Sequence, residues 1–333
     1  METAKVAVVG ATGAVGQTML QTLEERAFPV SELMPLASKR TAGTEVVFGG
    51  EKIPVRDLNE FSFDSVDIAL FSAGGPVSES HAPRAAAAGA VVIDNTSAFR
   101  QAPDVPLVVP EVNPGEIANR PRGIIANPNC STIQMVVALA PLRNLSPIRR
   151  IVVSTYQAVS GAGNLAIEEL ERTSREALAG DTPEPGPIFP HVIGFNCLPH
   201  IDVFLADGYT KEERKMMQET RKIFGDESIR ITATCVRVPV MTGHSESVNV
   251  EFESPVSPEA AREALASAPG VEVVDRPADR RYPTQRDCAG RDPVFVGRIR
   301  RDPSLENTLD MWIAADNLRK GAALNAIQIA ELL

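Results

Sequence analysis

The sequence predicts an α/β protein in two parts, a Rossmann-like doubly wound parallel-sheet domain and an α+β domain built on a mixed sheet. Three observations carry this. The short apolar run at residues 6–9 meets a glycine-spaced turn and then a helix-periodic stretch. Apolar β-like segments alternate with helical ones as far as about residue 128, the pattern of a parallel sheet with crossover helices. From about residue 151 the texture changes to longer alternating strands, which suit a mixed sheet covered on one face. With 333 residues the chain is long enough for two cores. The predicted boundaries are 1–128, completed by a returning C-terminal helix at 316–333, and 129–315.

The first strand at 6–9 runs into Gly10, Gly13 and Gly16, and the helix after them is marked by Met19, Leu20 and Leu23. A second strand at 33–37 leads into Ser38-Lys39-Arg40-Thr41, and a third at 66–71 leads into Ser72-Ala73-Gly74-Gly75. An alanine-rich helix at 79–88 precedes a strand at 91–94. Asn127-Pro128-Asn129-Cys130-Ser131-Thr132 opens an apolar helix. In the second part, strands are expected at 151–157, 247–252 and 310–314, with a last helix at about 317–333. Residues 181–190 are too rich in proline for either element and are expected to form an ordered loop.

Bulk properties exclude several classes. Lys and Arg number 33 against 43 Asp and Glu, a net charge of -10, which repels nucleic acid and anionic membrane. An anionic ligand therefore needs a local basic pocket. No leader of charged and then apolar residues is seen, nor any run of about 18 apolar residues, so the cytoplasm is the expected compartment. The four cysteines have no paired short spacing, so they are expected to be free thiols and no metal site is expected.

The segment Gly10-Ala11-Thr12-Gly13-Ala14-Val15-Gly16 is a variant of the dinucleotide fingerprint, which sets backbone N–H groups and a helix start against a pyrophosphate. A tight turn without a ligand produces such glycines too. The position of this one, in the first strand-to-helix unit, favours a cofactor. After the second strand an NAD enzyme needs an acid for the ribose hydroxyl, whereas Ser38, Arg40 and Thr41 suit a 2′-phosphate, which points to NADP.

Cys130 stands in the first turn of its helix, where unpaired N–H groups and the positive dipole end favour a thiolate nucleophile. Cys197, Cys235 and Cys288 read as small buried hydrophobes. Among the histidines, His244 follows a strand and the Gly243 turn, a placement expected to point it outward into a cleft. His81, His191 and His200 read as surface or structural. Gln157 ends a strand just before the glycine-rich 158–163 loop and, from the residue alone, reads as an interior amide.

Together these segments resemble the aspartate-semialdehyde dehydrogenase family in its bacterial form. The matching stretches are the Gly10 turn, Ser72-Ala73-Gly74-Gly75, residues 94–100, 127–132, 156–163 and 237–246, and Asp316-Asn317-Leu318-Arg319-Lys320-Gly321-Ala322-Ala323. They run in order over nearly the whole chain. The resemblance implies an NADP-dependent, phosphorylating aldehyde oxidoreductase in the biosynthesis of diaminopimelate, lysine, threonine and methionine. It implies Cys130 as the nucleophile that forms a thioester, which inorganic phosphate then attacks. His244 takes the acid/base role, suited to an imidazole titrating near neutrality. Gln157 and Asn129 hold substrate beside the cysteine, and Arg237 pairs with the substrate carboxylate through its planar fork. Arg100 and Lys215 bind phosphate. Glu213 meets the substrate amino group, although residues 211–216 also read as an exposed charged helix face. Ser72, Ala73, Gly74, Ser160, Gly161 and Asn317 line the cofactor, and the second domain serves catalysis and homodimerisation.

Three other readings compete. An N-acetyl-glutamyl-phosphate reductase uses the same scheme on a longer, acylated substrate, but acylation removes the charge that Glu213 is expected to meet. A thiol hydrolase or acyltransferase on Cys130 and His244 leaves the Gly10 turn and Ser38, Arg40 and Thr41 unexplained. A catalytically dead relative is at odds with an intact Cys130 and His244.

Overall fold

A computed structural model describes residues 3–333, which form two compact units. The first runs to Asn129 and takes back Gly321–Leu333, and the second is Cys130–Lys320.

In the first unit β1 (Ala4–Val9) passes through the glycine turn into α1 (Ala14–Glu25). There follow β2 (Val30–Ala37), the hairpin strands β3 (Glu45–Phe48) and β4 (Glu51–Pro54), the short β5 (Arg56–Asp57), and β6 (Ile68–Phe71). Then come α2 (Gly75–Ala87), β7 (Val91–Asp94) and β8 (Ile124–Ala126). The main sheet has the order β5-β2-β1-β6-β7-β8, and all its ladders are parallel. Strand order reverses between β1 and β6. That reversal opens the crevice in which such sheets take ligands.

A Cβ on Gly10, which has φ +89°, would stand 3.1 Å from Ser72 and Ala73 atoms, so the loops after β1 and β6 touch. A Cβ on Gly16 would lie 2.1 Å from the Gly10 carbonyl oxygen, so only glycine lets α1 start this close to the turn. Met19, Leu20 and Leu23 of α1 share a core with Ile327 and Ala330 of the C-terminal helix, Leu324–Ala330. Asn325 on that helix donates to the Asn127 side-chain oxygen at 2.6 Å and to the Val108 carbonyl at 3.0 Å.

The second unit opens with α3 (Cys130–Arg143), whose residues from Ser131 to Leu139 are all buried. A helix apolar on every side belongs in the middle of a unit. Next come β9 (Ile148–Gln157), α4 (Asn164–Ala179), α5 (Lys211–Phe224), β10 (Arg230–Arg237) and β11 (His244–Phe252). After α6 (Pro258–Ala266), β12 (Val271–Val273) and the short α7 (Gln285–Cys288), β13 (Val294–Arg301) and β14 (Thr308–Ala315) complete a mixed sheet. Its order is β10-β9-β11-β14-β13-β12, parallel at the β10/β9 and β12/β13 pairs and antiparallel between.

Several element bounds differ from those expected, by three residues at the starts of β9 and β11. The alanine-rich helix begins at Gly75 rather than residue 79, because Pro76 in the first turn lacks only an N–H that needs no partner there. The second strand begins at Val30, three residues early. The last helix is not continuous from 317: Arg319–Ala323 is a π-turn, and regular α-helix holds only for Leu324–Ala330. Residues 181–190 form neither helix nor strand. No helix among the described residues is long and apolar enough to cross a membrane.

Candidate active site

Sheet topology sets the arrangement. β9 and β10 are parallel, with Gln157 and Arg237 as partners at their ends, and β11 runs antiparallel to β9 from the same edge, beginning at His244. Three polar side chains thus end up abreast on adjacent strands, a coincidence of register that no local spacing reveals. Cys130 begins α3 in the same unit and is half-buried. Asn129, immediately before it, is buried.

Arg237 is 6% exposed and its Nη1 donates to the Ala158 carbonyl at 2.6 Å. Burial lowers its pKa, opposed by the charges of Glu212 and of Cys130. A buried guanidinium that spends one donor on a backbone carbonyl keeps most of its fork for an anion.

Gln157 is buried and donates to Glu212 Oε1 at 3.2 Å and to Thr155 Oγ1 at 3.4 Å. Glu212 Oε2 accepts from Lys215 Nζ at 3.1 Å, and the same ammonium donates to Asp202 at 2.8 Å. Burial works against the charged form of Lys215, but Glu212 and Asp202 outweigh it and hold its pKa above the ordinary value.

Glu213 does not face this group: its Oε2 accepts from the Thr210 N–H at 2.7 Å and its Oε1 from the Cys235 N–H at 3.0 Å. With the Thr210 side chain bonded back to the Glu213 N–H, it forms a capping box. Glu212, not the Glu213 that the resemblance points to, is the carboxylate that meets Gln157 and Lys215. The signal was present in the sequence, since Thr210-Lys211-Glu212-Glu213 has capping-box spacing, whereas Glu212 and Lys215 are three apart on one helix face. Nor is this face solvated, because Glu212 and Glu213 are both buried.

His244 is not on an outward-pointing turn either. It is the first residue of β11 and fully buried, because the Gly243 turn is packed rather than open. A Cβ on Gly243 would stand 2.7 Å from the Gln285 carbonyl oxygen. Gln285 donates to the Gly243 carbonyl at 2.8 Å, and the Gly243 N–H donates to the Asn317 side chain at 2.8 Å. His244 Nδ1 accepts from the Ala158 N–H at 3.1 Å, while Nε2 has no hydrogen-bond partner among the described residues. An N–H donor at Nδ1 selects the neutral tautomer that carries its proton on Nε2. Burial and then Arg237 push its pKa down to about 3, against smaller opposing contributions from Glu212 and the Gly243 backbone. The imidazole is therefore neutral at physiological pH and does not titrate near neutrality in the free site.

Two residues further along β11, Glu246 is also fully buried, and the sequence reading passed over it. Its carboxyl oxygens lack hydrogen-bond geometry to any described residue, and burial drives its pKa well above the ordinary carboxylate value, with Gln134 opposing weakly. Its place on an alternating strand, in phase with His244, was the available clue.

Ser160 and Asn317 are bonded to each other, at 2.9 Å from the amide, and Asn317 also anchors Gly243. A Cβ on Gly161 would meet Arg237 Nη1 at 3.3 Å and His244 Nε2 at 3.4 Å, so this loop packs on the two site residues. In the first unit Arg100 is buried and donates to the carbonyls of Asn95 and Asn127, both at 2.9 Å. It thereby braces the strand end that precedes Cys130. Cys235 and Cys288 are buried, their thiols pushed up by burial, whereas Cys197 is exposed.

The glycine turn fits a dinucleotide. α1 has Gly13 as its N-cap residue, with no side-chain cap and no acidic residue in its first turn, which leaves its N–H groups to an anion. Ser38 and Arg40 are exposed and Thr41 is half-buried, on a turn that carries no acid. No group of three or more His, Cys, Asp or Glu among the described residues could hold a metal ion.

A family model described as "Semialdehyde dehydrogenase, NAD binding domain" matches residues 5–120, and one described as "Semialdehyde dehydrogenase, dimerisation domain" matches residues 139–320. A curated protein of Aquifex aeolicus, named aspartate-semialdehyde dehydrogenase, is 59% identical over 99% of this chain and 97% of its own. The crystal structure of aspartate semialdehyde dehydrogenase II of Vibrio cholerae, complexed with ASA, superposes with a TM-score of 0.97 at 52% identity, covering 100% of this chain and 98% of that one. The enzyme of Candida albicans, crystallised with NADP, has a TM-score of 0.78 at 28% identity, covering 100% and 98%.

Proposed function

The chain belongs to the aspartate-semialdehyde dehydrogenase family, and on that premise we propose that it interconverts L-4-aspartyl phosphate with L-aspartate 4-semialdehyde and phosphate, using NADP and a Cys130 thioester. The observation that carries the reading is the cluster at the sheet edge. A buried arginine with donors to spare stands beside a buried glutamate, one group for each charge of an α-amino acid. An N-acetylated substrate has no ammonium for Glu212, which favours the free amino acid.

In the oxidative direction Cys130, as thiolate at the positive end of α3, adds to the aldehyde carbon. Arg237 pairs with the α-carboxylate, and Glu212 accepts from the amino group while Gln157 steadies Glu212. The proton on His244 Nε2 meets the oxygen that becomes negative as the thiol adds. Bound NADP supplies the hydride acceptor that converts this adduct to the thioester. Phosphate then attacks the acyl carbon and Cys130 leaves as thiolate. Lys215 and Arg100 keep the phosphate role that the resemblance implies.

For the cofactor, Gly10, Thr12, Gly13, Ala14, Val15 and Gly16 would receive the pyrophosphate, and Ser38, Arg40 and Thr41 the 2′-phosphate. Ser72, Ala73, Gly74, Ser160, Gly161 and Asn317 keep their cofactor assignment. The second unit would pair two copies through its sheet, whose half-exposed face bears Tyr156 against Trp312, ring centroids 5.2 Å apart. Its setting is the cytoplasmic synthesis of amino acids.

The test is NADP reduction by L-aspartate semialdehyde with and without inorganic phosphate. Turnover should depend on phosphate and be faster with NADP than with NAD. Equal rates without phosphate would contradict the acyl-phosphate product.

A further inference from the structure

The proline-rich excursion that follows α4 has no part in the reading above, yet it wraps Arg237. Its backbone is held by Glu169, a 4% exposed side chain on α4. Glu169 Oε1 accepts from the N–H groups of Gly186 at 3.1 Å and Phe189 at 3.3 Å, and Oε2 from that of Ile188 at 2.9 Å. A Cβ on Gly186 would overlap the carboxyl group at 2.2 Å, so the loop fits over it only as glycine. One turn further along α4, Thr173 Oγ1 accepts from Gly194 at 3.1 Å.

A loop without secondary structure has to satisfy its N–H groups somewhere, and here two α4 side chains do it. So secured, the excursion meets Arg237 twice. Leu198 exchanges both backbone hydrogen bonds with it, at 2.8 and 2.9 Å. The Phe189 ring, 7% exposed and packed among Val159, Leu170 and Ile193, has its centroid 5.9 Å from the guanidinium carbon.

A ring over the guanidinium excludes water, raises the affinity of the remaining donors for an anion, and restricts the rotamers of a long side chain. We propose that Phe189, held in place by Glu169, is a positioning residue that aims Arg237 and sets the selectivity of the site for a carboxylate-bearing aldehyde. This rests on the reading of Arg237 as the carboxylate partner.

The experiment compares L-aspartate semialdehyde with 3-aminopropanal, the same aldehyde without its carboxylate, in the full-length enzyme. Phe189→Leu should raise KM for the semialdehyde about tenfold and change kcat less than about twofold, the size of a partly desolvated cation–π contact. It should leave kcat/KM for 3-aminopropanal within about twofold. Phe189→Tyr should restore wild-type values, and Phe189→Leu should cost nothing further in an Arg237→Lys background. Glu169→Gln should show the same pattern more weakly and stands in if Phe189→Leu does not fold. Equal losses on both aldehydes, or full additivity with Arg237→Lys, would overturn the proposal. A wild-type enzyme that uses both aldehydes equally well would instead overturn the carboxylate role of Arg237, so the two failures are distinguishable.

Discussion

The two sheets handle polarity in opposite ways. In the first, β1 and β6 end on apolar residues, and close packing at the turns that follow leaves room only for backbone. The second carries Thr155, Gln157, Arg237, His244 and Glu246 on its strands, all buried. A site for a diphosphate needs only N–H groups and room, which glycine provides. A site that distinguishes a small zwitterion and handles its protons needs desolvated charges, each of which costs stability unless it is paired. The glycine turn of the first unit is thus sensitive to shape, and the strand ends of the second to charge.

Removing a charge from the second unit should do the most damage. Glu212→Gln keeps the shape and removes the charge of a buried carboxylate paired with the partly buried Lys215, so kcat/KM should fall roughly 10²-fold. The neighbouring Glu213→Gln, which loses a cap contact, should leave kcat/KM within a few-fold and lower stability by about 1 kcal/mol. Steady-state kinetics together with thermal melts separate the two, and a larger kinetic loss at 213 would restore the sequence-based assignment.

In the first unit a single methyl group should matter more than any surface charge. Gly16→Ala places a Cβ against the Gly10 carbonyl and should raise the dissociation constant for NADPH about tenfold or more, as overpacking costs about 1–3 kcal/mol. Unchanged binding by calorimetry would show that the turn moves freely.

Buried groups leave a pH signature. The Glu246 pKa is raised, so the native state keeps a proton that the unfolded chain loses above about pH 4.5. Its contribution to stability therefore falls as pH rises, by about 1.4 kcal/mol per unit, until the native pKa is reached. Glu246→Gln should thus gain on the wild type progressively as the pH rises above about 5 in thermal melts, and a constant offset would mean that Glu246 is ionised in the fold. His244 acts with the opposite sign: below pH 6.5 the unfolded chain takes up a proton that the native ring refuses down to about pH 3, so stability falls as pH drops through that window.

What the sequence made legible follows the same contrast. Alternating strands and helices, the glycine turn and Cys130 at a helix start are local patterns, and they stand in the structure where they were expected. The junction of Gln157, Arg237 and His244 depends on the register of three strands far apart in the chain. Whether Glu212 or Glu213 faces Gln157 depends on a 100° step around one helix, which resemblance to a family does not resolve and capping-box spacing does. The burial of His244 depends on Gln285 and Asn317, remote in sequence from the turn they hold.

The central claim is covalent catalysis at Cys130. Its most direct test is the intact and peptide mass of the enzyme after mixing with L-aspartate semialdehyde and NADP in the absence of phosphate. One aspartyl group should appear on Cys130, be released on addition of phosphate and be absent from Cys130→Ser. Turnover with no such adduct, or an adduct that persists in Cys130→Ser, would contradict it.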